Sequence, residues 1–143
     1  MSRASESRTL EQLLLDASAS LFPADDAPRP IDINTADSSG DTALHVFLWR
    51  GDEHAARELI RYGANVNAIG DMGETPLHVA VRRAEAKTLA ALLRAGAQAN
   101  VSSEFGQTPE ELAKTVERLG VFKEALELAR DHFRSRSQRP SEA

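Results

Sequence analysis

Apolar residues recur along this chain at helical spacing, in short bursts separated by polar turns. Leu10, Leu13, Leu14, Ala17 and Leu21 share one face, with Glu11 in the first turn, and they predict a helix starting at Thr9. Similar bursts predict helices near Thr42–Arg50 and Glu53–Tyr62, and another beginning with Leu77, Val79 and Ala80. A last one covers Val121–Phe133, where Phe122, Ala125, Leu126, Ala129 and Phe133 form the stripe. After Leu21 the pattern lapses. Pro23, Pro28 and Pro30 each break a helix, and apolar residues are missing where Leu59 and Ile60 would map. Residues 23–34 are therefore expected to be extended and to run over the end of the molecule.

The turns repeat with the bursts. Gly40-Asp41-Thr42-Ala43-Leu44-His45, Gly73-Glu74-Thr75-Pro76-Leu77-His78 and Gly106-Gln107-Thr108-Pro109-Glu110-Glu111 succeed one another at 33 residues. Gly63-Ala64-Asn65-Val66-Asn67 returns at the same interval as Gly96-Ala97-Gln98-Ala99-Asn100. Gly40, Gly73 and Gly106 suit a turn with positive φ. Thr75 is a natural N-cap, and Pro76 follows where no N–H is missed. Gly63 and Gly96 suit the residue just past a helix end, and Asn67 and Asn100 the turn that follows. With Thr-Pro-Leu-His-x-Ala at residues 75–80, the chain resembles the ankyrin-repeat family over roughly residues 31–133.

That resemblance implies an all-α solenoid of stacked helix-turn-helix units with short β-hairpin loops. It also implies that His45 and His78 bond to the adjacent Thr hydroxyl and bridge to a neighbouring repeat. In this register residues 9–133 form one domain. Residues 9–34 are a degenerate capping repeat, 35–67 and 68–100 full repeats, and 101–133 a C-terminal capping repeat. Residues 1–8 are expected to be frayed and 134–143 disordered. Phe47, where the family has Ala, needs room that the Leu13/Leu14 helix is expected to make. Ala84, where Gly is usual, is expected to lengthen the preceding helix slightly. Glu110-Glu111 in place of Leu-His suits a last repeat with no successor.

Composition narrows the function. The net charge of −5 argues against nucleic acid as a partner. No apolar run is long enough to span a membrane, and residues 1–20 lack the apolar core of a signal peptide, so a cytoplasmic protein without a membrane partner is expected. Zero cysteines exclude disulfides and thiolate chemistry. Lysine occurs only at 87, 114 and 123, an arginine bias that suggests a GC-rich, bacterial genome.

No catalytic constellation emerges. His45 and His78 belong to the repeat signature, and His54 and His132 have no partner at zinc-site spacing. Asp37, Asp41, Asp71, Glu74 and Glu104 cluster at the turn tips, but no loop has EF-hand spacing. A Walker-type loop and a nucleophile elbow are both lacking. Arg134, Arg136 and Arg139 make a solubilising end. No metal and no cofactor are expected, and an enzyme using the acidic tips is the least favoured class.

A recognition surface remains. By resemblance, hairpin tips and first helices line a concave groove. The tips map to Ser38, Ser39 and Asp41, to Asp71, Met72 and Glu74, and to Glu104, Phe105 and Gln107. Trp49, Arg50, Arg82, Arg83, Thr115 and Val116 come from the first helices, and Tyr62 from a second helix. Trp, Tyr and Arg dominate interface energies. The alternative is that Trp49 or Phe105 simply covers a gap between repeats. The expected function is a non-catalytic, monomeric module that binds an as yet unidentified protein. It would serve as an adaptor or as a dedicated inhibitor, such as the antidote of a toxin.

Overall fold

The computed structural model describes residues 8–27 and 29–137, with side chains as far as residue 131. Four threonines open the front row of helices: α1 (Leu10–Leu21), α2 (Ala43–Arg50), α4 (Pro76–Arg83) and α6 (Pro109–Thr115). Thr9, Thr42, Thr75 and Thr108 are all extended. The side chain three residues on bonds back to each backbone N–H: Gln12 at 2.8 Å, His45 at 3.1 Å, His78 at 3.2 Å and Glu111 at 2.9 Å. Such reciprocal caps satisfy donors the helix itself leaves orphaned.

The back row is α3 (Glu53–Arg61), α5 (Ala86–Arg94) and α7 (Leu119–Ser137). Helices α3 and α5 end alike. Gly63 and Gly96, at φ 92° and 99°, let the following N–H groups fold back on Leu59 and Leu92 at 3.0 and 2.9 Å.

Helix α2 packs between α1 and α4, α4 between α2 and α6, and α5 between α3 and α7. The buried layer runs through Leu13, Leu44, Phe47, Leu59, Leu77, Leu89, Leu92 and Phe122. Each such side chain stabilises by about 1.5–3 kcal/mol. Phe47 and Leu13 are both fully buried where α1 meets α2, as the sequence leads one to expect.

Polar bonds tie successive units together. Asn34 and Asn67 accept the backbone N–H of Asn65 and Gln98, each at 2.8 Å. Glu53 of α3 caps α5 from the neighbouring unit, accepting from the Glu85 N–H at 2.9 Å and the Thr88 hydroxyl at 2.6 Å.

The described residues are all-helical as expected: each short hairpin tip is closed by one rung with a turn bond inside it, and no strand forms among them. Other expectations need correction. Helix α4 is not lengthened at Ala84. Both α2 and α4 have 8 residues. Ala84 is buried and extended, and Arg118 donates to the Arg82 carbonyl at 2.9 Å and to the Ala84 carbonyl, capping the helix end. Arg8 is not frayed: it pairs with Asp52 at 2.7 Å and lies 5.8 Å from the Phe47 ring. Helix α7 continues through Ser137, four residues into the segment expected to be disordered. Residues 1–7 and 138–143 lie outside the described residues. Residues 22–27 and 29–34 form no helix. Arg29 stacks on Phe22 at 4.0 Å, pairs with Asp25 at 2.6 Å and donates its N–H to Ser18 at 3.1 Å.

A candidate binding groove

Three tips project from the front row, closed by the bonds Asp37 N–H to Asp41 carbonyl, Gly70 to Glu74 and Ser103 to Gln107, each at 2.9 Å. In the first, the Asp37 carboxylate accepts from the N–H groups of Ser39 and Asp41 at 2.9 and 3.0 Å. In the third, the Ser103 hydroxyl accepts from Phe105 at 3.2 Å. The equivalent residue in the middle tip is Gly70, which has no side chain to offer. A Cβ there would stand 2.2 Å from Asp41 Oδ1 and 2.9 Å from His45 Nε2. Asp41 takes over from the preceding unit and accepts the Asp71 N–H at 3.0 Å. Met72 adopts φ 60°, ψ 20°, a left-handed conformation costing a non-glycine residue about 1–2 kcal/mol. It is held by the Glu104 N–H, which donates to the Met72 carbonyl at 2.9 Å.

Two histidines brace these tips. His45 Nδ1 accepts from the Thr42 N–H, so its proton lies on Nε2, which donates to the Glu74 carbonyl at 3.1 Å. His78 does the same with Thr75 and the Gln107 carbonyl, at 2.8 Å. Burial lowers the His45 pKa, although its bond to Glu74 and the carboxylates of Asp41, Asp37 and Glu74 pull the other way.

Between tips and front helices lies a groove of about 290 Å³, lined by Asp41, His45, Trp49, Asp71, Met72, Glu74, Val79, Arg82 and Phe105. The 33-residue interval relates Asp41, Glu74 and Gln107 to one another, and likewise Trp49, Arg82 and Thr115. In the second unit the pair is an ion pair, Glu74 with Arg82. In the third, the Gln107 amide donates to the Thr115 hydroxyl at 2.9 Å. In the first, Asp41 is matched with Trp49, whose ring has Arg82 and Arg83 at 5.8 and 5.4 Å. Trp49, Met72 and Phe105 are 39%, 49% and 64% exposed.

A family model described as ankyrin repeats, three copies, matches residues 2–103. This chain belongs to the ankyrin-repeat family. No curated protein matches it. The matched span takes in α1 and stops at the start of the third tip. Beyond it, Thr108-Pro109 and the Glu111 cap carry the same helix start into α6. Ankyrin repeats are generally protein-protein interaction modules, and among the described residues no helix is both long and apolar enough to cross a membrane.

This ankyrin-repeat protein brings Asp41, Trp49, Asp71, Met72, Glu74, Arg82 and Phe105 together in one groove. Ser39 and Glu104 are exposed on the flanking tips, and the Arg83 guanidinium lies over the Trp49 ring. Gln107 is engaged through its carbonyl with His78 and through its amide with Thr115. Three placements correct the sequence picture. Glu74 is only 5% exposed and belongs to the wall, not the rim. Arg50 turns toward α1, pairing with Asp16 at 2.9 Å and lying over Phe47. Tyr62 is exposed at the end of α3 and does not line the groove. Sequence reasoning missed His45 and Val79 as lining residues, having given His45 to a bridge between repeats and Val79 to the apolar helix face; their places in the signature, beside Trp49 and Arg82 on the front helices, were the available signal. Among the described residues no group of three or more His, Asp or Glu could hold a metal.

Proposed function

We propose that the groove binds a segment of a partner protein, and that the chain is a monomeric module without catalysis of its own. Trp49 from α2, Met72 from the second tip and Phe105 from the third surround one concavity while remaining open to solvent, and this carries the proposal. Large side chains left exposed around a groove gain most from a partner that covers them. The frame is held by the His45 and His78 bridges and by the Asp41 and Glu104 bonds, so little ordering entropy is lost on binding.

Adaptor and inhibitor share this surface. They differ in whether the partner loses activity when bound, which an assay of the captured partner decides. The test of the groove itself is affinity capture from the native host followed by calorimetry. Trp49→Ala is expected to weaken binding by about 2 kcal/mol, roughly thirtyfold. Unchanged affinity in a folded Trp49→Ala protein means the binding face lies elsewhere.

A further inference from the structure

The groove wall contains three carboxylates, Asp41, Asp71 and Glu74, against one guanidinium, Arg82, already bonded to Glu74. The repeat interval shows what is missing. Position 82 supplies a cation for the acid at 74, whereas the equivalent position 49 gives the acid at 41 a tryptophan. Among the described residues, Asp41 and Asp71 have no ion-pair partner; the contact between them is the Asp71 N–H donating to Asp41 Oδ1. Arg83, 5.4 Å from the Trp49 ring, adds a second cation, and with three carboxylates the wall stays net negative.

Building on the groove as a partner site, we propose that it receives a cationic side chain, arginine or lysine, from an apolar-flanked extended segment of the partner. The head group sits at Asp41 and Asp71 and supplies the acid–base pair the first unit lacks. Its methylene stem lies along Trp49 and Met72. At about 290 Å³ the space has room for one long side chain. An acidic segment would meet like charge in the same wall.

Trp49 is the sole tryptophan, so its emission reports occupancy of the groove. The probe is a short synthetic peptide with arginine between two leucines, titrated to millimolar concentration against the full chain. Controls carry glutamate or norleucine at the centre. The arginine peptide is expected to change Trp49 emission saturably and to bind at least about tenfold more tightly than either control. Asp41→Asn combined with Asp71→Asn is expected to weaken it about fivefold, the asparagine at 41 still accepting the residue-71 N–H. Asp71→Asn alone, at an exposed tip, reads the same effect should the double variant unfold. Glu124→Gln with Glu127→Gln removes the same charge from α7 and should change nothing. Equal binding of a control peptide, an equal loss in the α7 variant, or no response at Trp49 overturns the inference. Failure of the groove as a partner site shows separately, in a captured partner indifferent to Trp49→Ala.

Discussion

Replacing Gly40 by alanine separates the strain of a turn from the contact between units. Gly40 has φ 95°, and a Cβ on it would stand 2.4 Å from the Ile69 carbonyl oxygen and 3.3 Å from the Gly70 Cα, both backbone atoms of the next unit. Gly63 has nearly the same conformation, φ 92°, but a Cβ there meets nothing within 4 Å. Both substitutions force a side chain into the left-handed region, costing about 1–2 kcal/mol. Gly40→Ala alone must also push backbone aside, and overpacking of that kind costs about 1–3 kcal/mol more. The expected losses are thus about 1–2 kcal/mol for Gly63→Ala and about 2–5 kcal/mol for Gly40→Ala. Urea unfolding followed by helical circular dichroism measures both, with unchanged slopes showing that the same surface is exposed. Equal losses would mean that the first tip does not bear on the second and that the stack is looser than its geometry.

Glu74→Ala should cost about 1–2 kcal/mol in the same experiment, since it strands the half-buried Arg82, whereas an exposed pair is worth about 0.2–1 kcal/mol. A loss under about 0.5 kcal/mol would return Glu74 to the rim. Leu13→Ala should cost about 2–5 kcal/mol because Leu13 is fully buried under the first full unit; a cost below about 1 kcal/mol would make α1 an appended arm. For His45 the folded pKa lies below that of the unfolded chain, so the unfolded state takes up the proton first. Stability should be full above about pH 6.5 and fall as the pH drops below it, levelling once the folded-state pKa is passed. Urea midpoints at about pH 7.5 and 5.5 test this, and a drop of the same size in His45→Gln would assign it to other groups.

The sequence by itself determined the threonine-capped starts of the front helices, the glycine-marked ends of α3 and α5, and the 33-residue period. Those features depend on a few adjacent atoms: Thr75 and His78 cap the same turn they belong to, and Gly63 sits in the conformation its missing Cβ permits. A period of 33 then makes each unit legible from the last. What only the tertiary structure decided are bonds between residues some 30 positions apart, whose partners are chosen by how the units stack. Arg50 and Arg83 hold the same place on their helices, yet α1 presents Asp16 to the first while the second lies over Trp49. Glu53 of α3 caps α5, and Arg118, just before α7, closes α4. The groove lies between these two levels. Its residue types were visible along the chain, but whether a charge there is free or already spoken for depends on which neighbour the stacking brings within a hydrogen bond's length.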